Sequence, residues 1–370
     1  MKGRRPRPLD DGDSGRDKGI GLVMMGKTNS KSSGESLAEL SATIIPMAIN
    51  STFKPFQISN AAKAIKEGNL VAFPTETVYG LGADASNQIA VAKIYEVKGR
   101  PKDHPLIVHI SSAGRLDKWA TKIPGYANIL ASEFWPGPMT LVLPKTELAQ
   151  NFVTGGQDTI AIRVPSHPIA IKLLKNFERL GGQGVAAPSA NRFGKVSPTT
   201  YTAVKTELGN VLSADDMILK GGKCNVGIES TIINCTGPYP TILRPGAITN
   251  EMIIDKLGES IILNIENQNS YQIRFPGSLE SHYAPNAEIH LSGTPSVGDG
   301  FIAIDSIQTP PGAIRILSPK NHKEFAVNLY ESFRKSDKLG ITRVFIVPPV
   351  GSGLAVAING RLSKSAFKKH

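Results

Sequence analysis

The chain has 370 residues, enough for two domains, and its 40% hydrophobic and 20% charged content is typical of a globular protein with a buried core. Its longest apolar runs are strand-sized, which excludes a transmembrane helix, and two cysteines exclude a disulfide framework or a cysteine-rich metal site. The formal net charge of +11 indicates a polyanionic partner such as a nucleotide or RNA, although lysine is also a common solubilising residue. So few cysteines suit a reducing compartment, and we expect a cytoplasmic protein with no membrane partner.

Residues 1–50 are charged, rich in glycine and without apolar periodicity, which predicts a disordered N-terminal extension. Within it, residues 21–28 read GLVMMGKT and match the phosphate-loop pattern literally. A working phosphate loop follows a buried strand and opens a helix, so that backbone N–H groups converge on the phosphate. Here the polar DDGDSGRDKG precedes the segment and NSKSSGES follows it. We therefore predict that residues 21–28 bind no phosphate.

From Ser59 onward strands and helices alternate, which predicts an α/β layer structure. The predicted helices cover residues 60–68, 87–98, 125–134, 169–177, 200–208 and 251–257. The predicted strands cover residues 70–73, 106–110, 139–143, 159–164, 184–187, 217–219, 231–234 and 241–243. Ser59 and Asn60 are the predicted cap of the first helix, and residues 197–199 are the predicted cap of the helix at 200–208.

After Gly246 the sequence changes character. Residues 259–288 form a long irregular stretch that carries Arg274, His282 and Tyr283, and such a segment is typical of a linker or a lid. A smaller α/β unit follows, with predicted strands near residues 301–304, 314–317 and 344–347 and helices at 323–336 and 354–362. The predicted domains are therefore an extension (1–50), a large α/β domain (51–258), a linker or lid (259–288) and a small accessory domain (289–370).

Three polar, glycine- and proline-containing segments lie at the ends of predicted strands: PTETVYGLG (74–82), KGRP with HPLIVH (98–109) and PSAN (188–191). Ligands of α/β proteins bind in the crevice beyond the carboxyl ends of the strands. Ordinary turn chemistry would also place threonine, serine and glycine at these positions. The repetition of the pattern at three strand ends favours one cleft for a ligand with phosphates and a small polar group.

The charged residues of these segments have two interpretations each. Lys98 and Arg100 either cap the end of a helix or clamp phosphate just before a strand that ends in His109. Thr159 and Arg163 face the same side of one strand, and a buried arginine there needs either a ligand carboxylate or a structural salt bridge. The sequence contains no Ser-His-Asp order, no metal-spaced cluster and no close carboxylate pair, so the pattern indicates positioning and charge neutralisation, as in nucleotidyl transfer.

These segments together resemble the threonylcarbamoyl-AMP synthase family, which is built on a YrdC-like domain. The resemblance covers about residues 53–257 and rests on the K-x-R and S-x-N pairs (Lys98, Arg100, Ser189 and Asn191) with FPTETVYGLGADA, FWPGPMTLVL, GIESTI and LRPG around them. The SHYAP stretch and the C-terminal unit resemble the long form of the family. The resemblance implies a twisted mixed sheet with a concave cleft, a linker and a small Rossmann-like C-terminal domain.

The resemblance also implies a nucleotidyltransferase reaction. L-threonine, bicarbonate and ATP would give threonylcarbamoyl-AMP and pyrophosphate, and the product would supply the tRNA-threonylcarbamoyl transferase machinery that modifies adenosine in tRNA. Mg²⁺ is expected as a cofactor that arrives with ATP, and no protein metal site is predicted. A weak contact with RNA is also expected.

By motif position, the resemblance implies a catalytic set of Lys98, Arg100, Ser189 and Asn191. The implied threonine pocket comprises Thr77, His109, Arg163, Ala187 and Ser230. The implied ATP pocket comprises Lys98, Arg100, His104, Thr159, Ser189, Asn191, Ser197, Arg244 and Tyr283. Position 104 departs from the family, which usually has asparagine there, and the C-terminal unit is short for the long form.

Two other functions remain open on the sequence. A double-stranded RNA-binding module would fit the basic charge and a concave face, but only 6% of the residues are aromatic. A carbamoyltransferase on the same fold would use carbamoyl phosphate, but such proteins carry further domains with zinc or acylphosphatase motifs, which this sequence lacks. The sequence leaves the oligomeric state open.

Overall fold

The computed structural model describes residues 55–258, 273–277 and 283–367. The described strands form a nine-stranded mixed sheet and a four-stranded parallel sheet, which confirms the predicted α/β architecture with a second, smaller unit. The predicted N-terminal extension with its GLVMMGKT segment, and much of the predicted linker or lid, lie outside the described residues. Within the described part, no helix has the length and apolar character needed to cross a membrane.

The large sheet positions the polar segments. Its strands are β1 (Val71–Phe73), β2 (Gly80–Asp84), β3 (Ile107–His109), β4 (Met139–Pro144), β5 (Thr159–Arg163), β6 (Val185–Ala186), β7 (Met217–Ile218), β8 (Thr231–Asn234) and β9 (Thr241–Arg244). Their spatial order is β7-β1-β2-β6-β3-β5-β4-β8-β9. The parallel pair β3 and β5 lies near the centre, with His109 directly opposite Arg163. Opposite residues on neighbouring strands face the same side, so these two side chains share one face.

Helices cover both faces of this sheet. They are α1 (Pro55–Lys66), α2 (Gln88–Lys98), α3 (Leu116–Trp119), α4 (Gly125–Phe134), α5 (Asn151–Thr154), α6 (Pro168–Arg179), α7 (Tyr201–Leu208) and α8 (Asn250–Leu257). One core packs α2 and α4 against Ala72 of β1, while a second packs α1 and α6 against Val71 and Phe73 of the same strand. Ala72 and its two neighbours face opposite sides of the sheet, because successive side chains of a strand point to opposite faces.

The C-terminal unit, residues 288–366, has its own parallel sheet. Its elements are β10 (Glu288–His290), β11 (Gly300–Ile302), β12 (Ile314–Leu317), α9 (His322–Lys338), β13 (Arg343–Ile346) and α10 (Leu354–Ala366), with spatial strand order β10-β13-β11-β12. Leu329, Phe333 and Ile358 pack its core. The same cluster includes Val78 and Ile228 of the large domain, so the two units share a continuous apolar contact.

Several helix ends differ from the predictions. Helix α1 begins at Pro55, not at the predicted cap near Ser59, because the fixed φ of proline suits the first helical position. The cap of α7 is Thr200, whose Oγ1 accepts a hydrogen bond from the amide of Ala203, so the cap lies one residue after the predicted run. Helices α9 and α10 both continue four residues or fewer beyond their predicted ends.

Two strands were not predicted, β2 and β10. The sequence of β2 reads GLGAD, and its glycines are typical of a loop. In the structure Gly82 allows close approach instead, since a Cβ there would lie 2.7 Å from the ring of Phe73 and 2.8 Å from Val185. Strand β2 therefore needs glycine because it packs between two large side chains, a requirement that only the tertiary structure reveals.

Candidate active site

The polar segments meet in one solvent-open cleft of about 540 Å³ at the ends of the central strands. All five residues of the predicted threonine pocket line it, and we name the part that they line the threonine half after that prediction: Thr77, His109, Arg163, Ala187 and Ser230. Four residues of the predicted ATP pocket also line it, and they define its nucleotide half: Arg100, Ser189, Arg244 and Tyr283. The lining residues that the sequence did not assign to a pocket are Thr75, Val78, Gly80, Ile107, Pro188, Glu229, Pro276 and Gly277.

Arg163 anchors the threonine half. It is 4% exposed and forms a buried ion pair with Glu76, whose other carboxylate oxygen accepts a hydrogen bond from the amide of Ser166 at 3.0 Å. The structural salt bridge that the sequence left open is therefore present. The Nε of Arg163 nevertheless has no hydrogen-bond partner among the described residues. Because a guanidinium has five donors in a fork, Arg163 can keep Glu76 and still receive a ligand carboxylate.

His109 lies beside Arg163 and is neutral. Burial, and then the neighbouring Arg163, lowers the pKa of His109 to about 3. Its Nδ1 lies 3.3 Å from the carbonyl oxygen of Ile107, and its ring meets the edge of Phe73 at 6.1 Å between centroids. A neutral imidazole can accept or donate a hydrogen bond without repelling the ammonium group of an amino acid.

The PTET segment holds Thr77 through a tight turn. The hydroxyl of Thr75 donates to the carbonyl oxygen of Val78 at 2.6 Å and lies 2.8 Å from the hydroxyl of Thr77. An isolated antiparallel bridge between Gly80 and Ser189 then joins this segment to PSAN. Two of the three polar segments are thus tied together by backbone, which places the Thr77 and Ser189 side chains on the same cleft.

Lys98 does not line the cleft. It is 2% exposed, and its amino group donates to the carbonyl oxygen of Ser189 at 2.6 Å and to that of Asn191. Burial, and then Arg100, lowers the pKa of Lys98 well below its usual value. In this structure Lys98 therefore holds the PSAN loop through its backbone, from a position outside the cleft lining.

Arg100 is the part of the K-x-R pair that reaches the cleft. Its guanidinium lies 5.7 Å from the ring centre of Phe193 and donates to the carbonyl oxygen of Pro105 at 3.0 Å. Its Nε is buried without a hydrogen-bond partner in the described part of the chain. Burial lowers its pKa to about 10, which still leaves it charged at neutral pH. The ring of His104 lies edge-on to Phe193 at 5.4 Å between centroids, and His104 does not line the cleft.

Three further residues of the predicted ATP pocket lie outside the lining. The side-chain amide of Asn191 donates to the carbonyl oxygens of Arg192 and Lys195 at 2.7 and 2.8 Å, which shapes the loop after PSAN. Ser197 donates to Glu229 at 2.7 Å. Thr159 lies at the start of β5, four residues and about 13 Å of strand away from Arg163.

Arg244 joins the two halves. It donates through Nε to the carbonyl oxygen of Ser230 at 3.1 Å and through one terminal nitrogen to the hydroxyl of Ser230 at 3.1 Å. Its other terminal nitrogen donates to the carbonyl oxygen of Pro276 at 2.8 Å. Pro276 and Gly277, which belong to the stretch predicted as a linker or lid, thereby form part of one wall. Tyr283 completes this wall and stacks on Tyr330 of α9 at 5.7 Å between ring centroids.

Two acidic partners of the site, Glu76 and Glu229, were not predicted from the sequence. Glu76 stands between two threonines in PTETV and Glu229 between isoleucine and serine in GIESTI, where a charged residue within an otherwise buried segment was a usable signal. Within the described residues, no three or more histidine, cysteine, aspartate or glutamate side chains are grouped so that they could hold a metal ion.

Two family models match the chain. Residues 63–246 match the model described as "Telomere recombination", and residues 248–367 match the model described as "Threonylcarbamoyl-AMP synthase, C-terminal domain". The threonylcarbamoyl-AMP synthase of Pyrococcus abyssi is 37% identical over 342 residues, which cover 86% of this chain and 96% of that protein. The chain belongs to the threonylcarbamoyl-AMP synthase family.

The similarity to this family extends over both units. The threonylcarbamoyl-AMP synthase of Bacillus subtilis is 37% identical over 329 residues, covering 84% of this chain and 93% of that protein. The crystal structure of Pyrococcus abyssi Sua5 complexed with L-threonine matches with a TM-score of 0.76 at 37% identity, covering 85% of this chain and 96% of that one. These matches confirm the resemblance to the long form and its fold, and they do not favour an RNA-binding module or a carbamoyltransferase.

Proposed function

We propose that this chain is a threonylcarbamoyl-AMP synthase that condenses L-threonine, bicarbonate and ATP into threonylcarbamoyl-AMP and pyrophosphate. The observation that carries the proposal is the single cleft in which the whole predicted threonine pocket faces Arg100 and Arg244. The relatives along both units are named for this activity, and one solved structure of the family is complexed with L-threonine.

The threonine half would orient the amino acid. The carboxylate of threonine would bind Arg163, whose buried Nε has no hydrogen-bond partner among the described residues, and neutral His109 would lie beside it without repelling the substrate amine. The amine would combine with bicarbonate to form a carbamate with loss of water. An oxygen of that carbamate would attack the α-phosphorus of ATP as the bond to pyrophosphate breaks, and holding both reactants in one cleft would lower the barrier.

The nucleotide half would neutralise the phosphates. Arg100 and Arg244 line the cleft, and the PSAN loop presents Ser189 beside them. We propose that Lys98 and Asn191 hold this loop for catalysis, and that His104, Thr159, Ser197 and Tyr283 contribute to the ATP pocket as the family resemblance implies. Mg²⁺ would arrive on the triphosphate, because the described residues offer no carboxylate cage for it. Fixed positive groups at the phosphates would stabilise the charge that develops as pyrophosphate leaves.

The proposal also covers the use of the product and the bounds of the domains. Threonylcarbamoyl-AMP would pass to the tRNA-threonylcarbamoyl transferase machinery for modification of adenosine in tRNA, with weak RNA contact by the basic surface and a cytoplasmic location. Residues 51–258 would form the catalytic domain and residues 289–370 the accessory domain, with residues 259–288 between them as a linker or lid.

A pyrophosphate-release assay tests the proposal. Release from ATP should require both L-threonine and bicarbonate, and mass spectrometry should detect threonylcarbamoyl-AMP. Pyrophosphate release that is independent of threonine or bicarbonate would contradict it. Turnover of carbamoyl phosphate would favour a carbamoyltransferase, and salt-sensitive RNA binding that ATP does not compete would favour an RNA-binding module.

A further inference from the structure

The cleft wall that carries Ser230 and Arg244 also carries a carboxylate, Glu229. Ser197 of the large domain donates a hydrogen bond to this carboxylate, and its other partners come from the C-terminal unit. One oxygen of Glu229 accepts a hydrogen bond from the hydroxyl of Tyr330 on α9 at 2.8 Å and lies 3.2 Å from Nε of Arg361 on α10. Glu229 is 7% exposed and Arg361 is 2% exposed. Little water reaches this pair, so its Coulomb attraction is screened far less than that of a surface pair.

Arg361 binds the backbone of the same wall. Its terminal nitrogens donate to the carbonyl oxygen of Glu229 at 3.1 Å and to the carbonyl oxygen of Pro245. Glu229 precedes β8 and Pro245 follows β9, so one guanidinium from the last helix joins the ends of two strands. These are the chain positions next to Ser230 and Arg244, which line the cleft.

The charge of Glu229 matters because it lines a cleft proposed to receive a triphosphate. Burial raises the pKa of Glu229, but Arg361 and Arg244 outweigh burial and hold it below its usual value, so the carboxylate is ionised at neutral pH. An unpaired carboxylate here would repel phosphate and would attract Arg244 away from it. Arg361 and the Tyr330 hydroxyl oppose both effects, because the charge of Arg361 neutralises the carboxylate and both groups hold it from the side of the C-terminal unit.

We propose that Arg361 is a positioning residue for the nucleotide: it neutralises Glu229 and holds it back, so that Arg244 remains available to a phosphate of ATP. This inference rests on the proposed function. It assigns the C-terminal unit a direct part in ATP affinity, through a side chain that does not itself contact the substrate. The proposed effect depends on the negative charge of Glu229. A contact that only joined the two units would not depend on that charge, so the two explanations can be distinguished.

The test compares ATP KM in pyrophosphate release for the wild type, Arg361→Met, Glu229→Gln and the double variant. Arg361→Met should raise ATP KM about tenfold or more, because it leaves a buried negative charge beside the phosphates, with a smaller change in threonine KM. Glu229→Gln should not raise ATP KM, and the double variant should return it to within about threefold of the wild-type value, since neither leaves an unpaired carboxylate.

Arg343→Met is the matched control. Arg343 pairs with Asp299 at 2.9 Å in the same C-terminal unit, on a partly exposed surface away from the cleft lining. This variant removes an arginine from a more exposed ion pair of the same unit and should leave ATP KM unchanged. An increase like that of Arg361→Met would show that any loss of an ion pair in this unit weakens ATP binding, and would overturn the proposal.

The outcomes separate the competing explanations. If Glu229→Gln and Arg361→Met raise ATP KM equally, or if the double variant has the highest ATP KM, the pair acts only by joining the two units and the proposal is wrong. If Arg361→Met does not fold by circular dichroism, a tenfold rise in ATP KM for folded Glu229→Gln alone still overturns it. If the wild type releases no threonine-dependent pyrophosphate, the proposed function fails instead, and calorimetric ATP affinity of the same variants still decides the role of Arg361.

Discussion

The two halves of the cleft are built differently. In the threonine half, Arg163 and His109 stand opposite each other on the parallel strands β5 and β3. In the nucleotide half, Arg244 ends β9, but Ser189 and Arg100 stand on loops, and the PSAN loop is held by the buried amino group of Lys98. Side chains on paired strands are positioned more rigidly than those on loops. We therefore expect changes in the threonine half to alter one substrate affinity, and changes behind the nucleotide half to alter folding and ATP turnover together.

Lys98→Met should produce the largest effect. It would leave the carbonyl oxygens of Ser189 and Asn191 without their buried donor, which should lower the free energy of unfolding by about 2–4 kcal/mol. Displacement of the loop should also lower kcat/KM for ATP by about a hundredfold. Thermal unfolding and pyrophosphate release measure the two quantities.

Lys93→Met is the control for this prediction. Lys93 lies on the same helix, and its amino group donates to the carbonyl oxygen of Gly68 at 2.8 Å, away from the cleft lining. Because Lys93 is only partly buried, its loss should lower the free energy of unfolding by less than about 1 kcal/mol and leave activity intact. Equal effects of the two variants would contradict the special role of Lys98.

Arg163→Ala should distinguish the two halves most directly by its different effects on threonine KM and ATP KM. Loss of a bidentate charged contact should raise threonine KM by an amount equivalent to about 2–3 kcal/mol, with a much smaller change in ATP KM. Arg115→Ala, which breaks a partly exposed pair with Glu178, is the control and should change neither KM. Steady-state kinetics with each substrate varied would measure this, and equal damage to both KM values would remove the assignment of Arg163 to threonine.

The buried His109 predicts a pH dependence of stability. Its pKa is about 3 in the folded protein against 6.5 for an ordinary histidine, so the unfolded chain takes up a proton that the folded chain does not. Its contribution to stability is complete above pH 6.5 and falls as the pH is lowered from 6.5 toward 3, by at most about 1.4 kcal/mol per pH unit. His109→Gln should flatten this slope in urea unfolding between pH 7 and pH 4.5, whereas His322→Gln in the C-terminal unit should not. An unchanged slope in His109→Gln would show that this histidine can be protonated in the folded state.

Removal of the N-terminal segment should have the smallest effect. A shortened chain that begins at Met47 lacks the GLVMMGKT segment and should keep the ATP KM of the full chain within about twofold, because the polar sequences on both sides of that segment predict neither the strand nor the helix of a phosphate loop. Calorimetric ATP binding and pyrophosphate release would measure this. Loss of ATP binding would mean that the nucleotide half includes residues outside the cleft described here.

The local features of the fold could be predicted from the sequence. The apolar periodicity predicted most strands. It also predicted the helix at 87–98, whose first residue, Asn87, is its cap in the structure and accepts hydrogen bonds from the amides of Ile89 and Ala90. The strand-end motifs predicted that Thr77 and His109 line one cleft, because α/β sheets bind ligands where strands end, and the family resemblance added Arg163 to that site. Strand β2 was not predicted, because its Gly82 is required by close packing against Phe73 and Val185, which lie on other strands.

The sequence by itself therefore determined the α/β class, the polar segments and the residues that end the central strands, because propensity, periodicity and capping act within a few residues. Only the tertiary structure decided how the charges of the site are paired. Glu76 and Arg163 are 87 residues apart, and Glu229 and Arg361 are 132 residues apart, so their pairing depends on strand order and on the packing of the C-terminal unit. A buried charge needs a partner, but which partner it finds is set by which chain segments pack together.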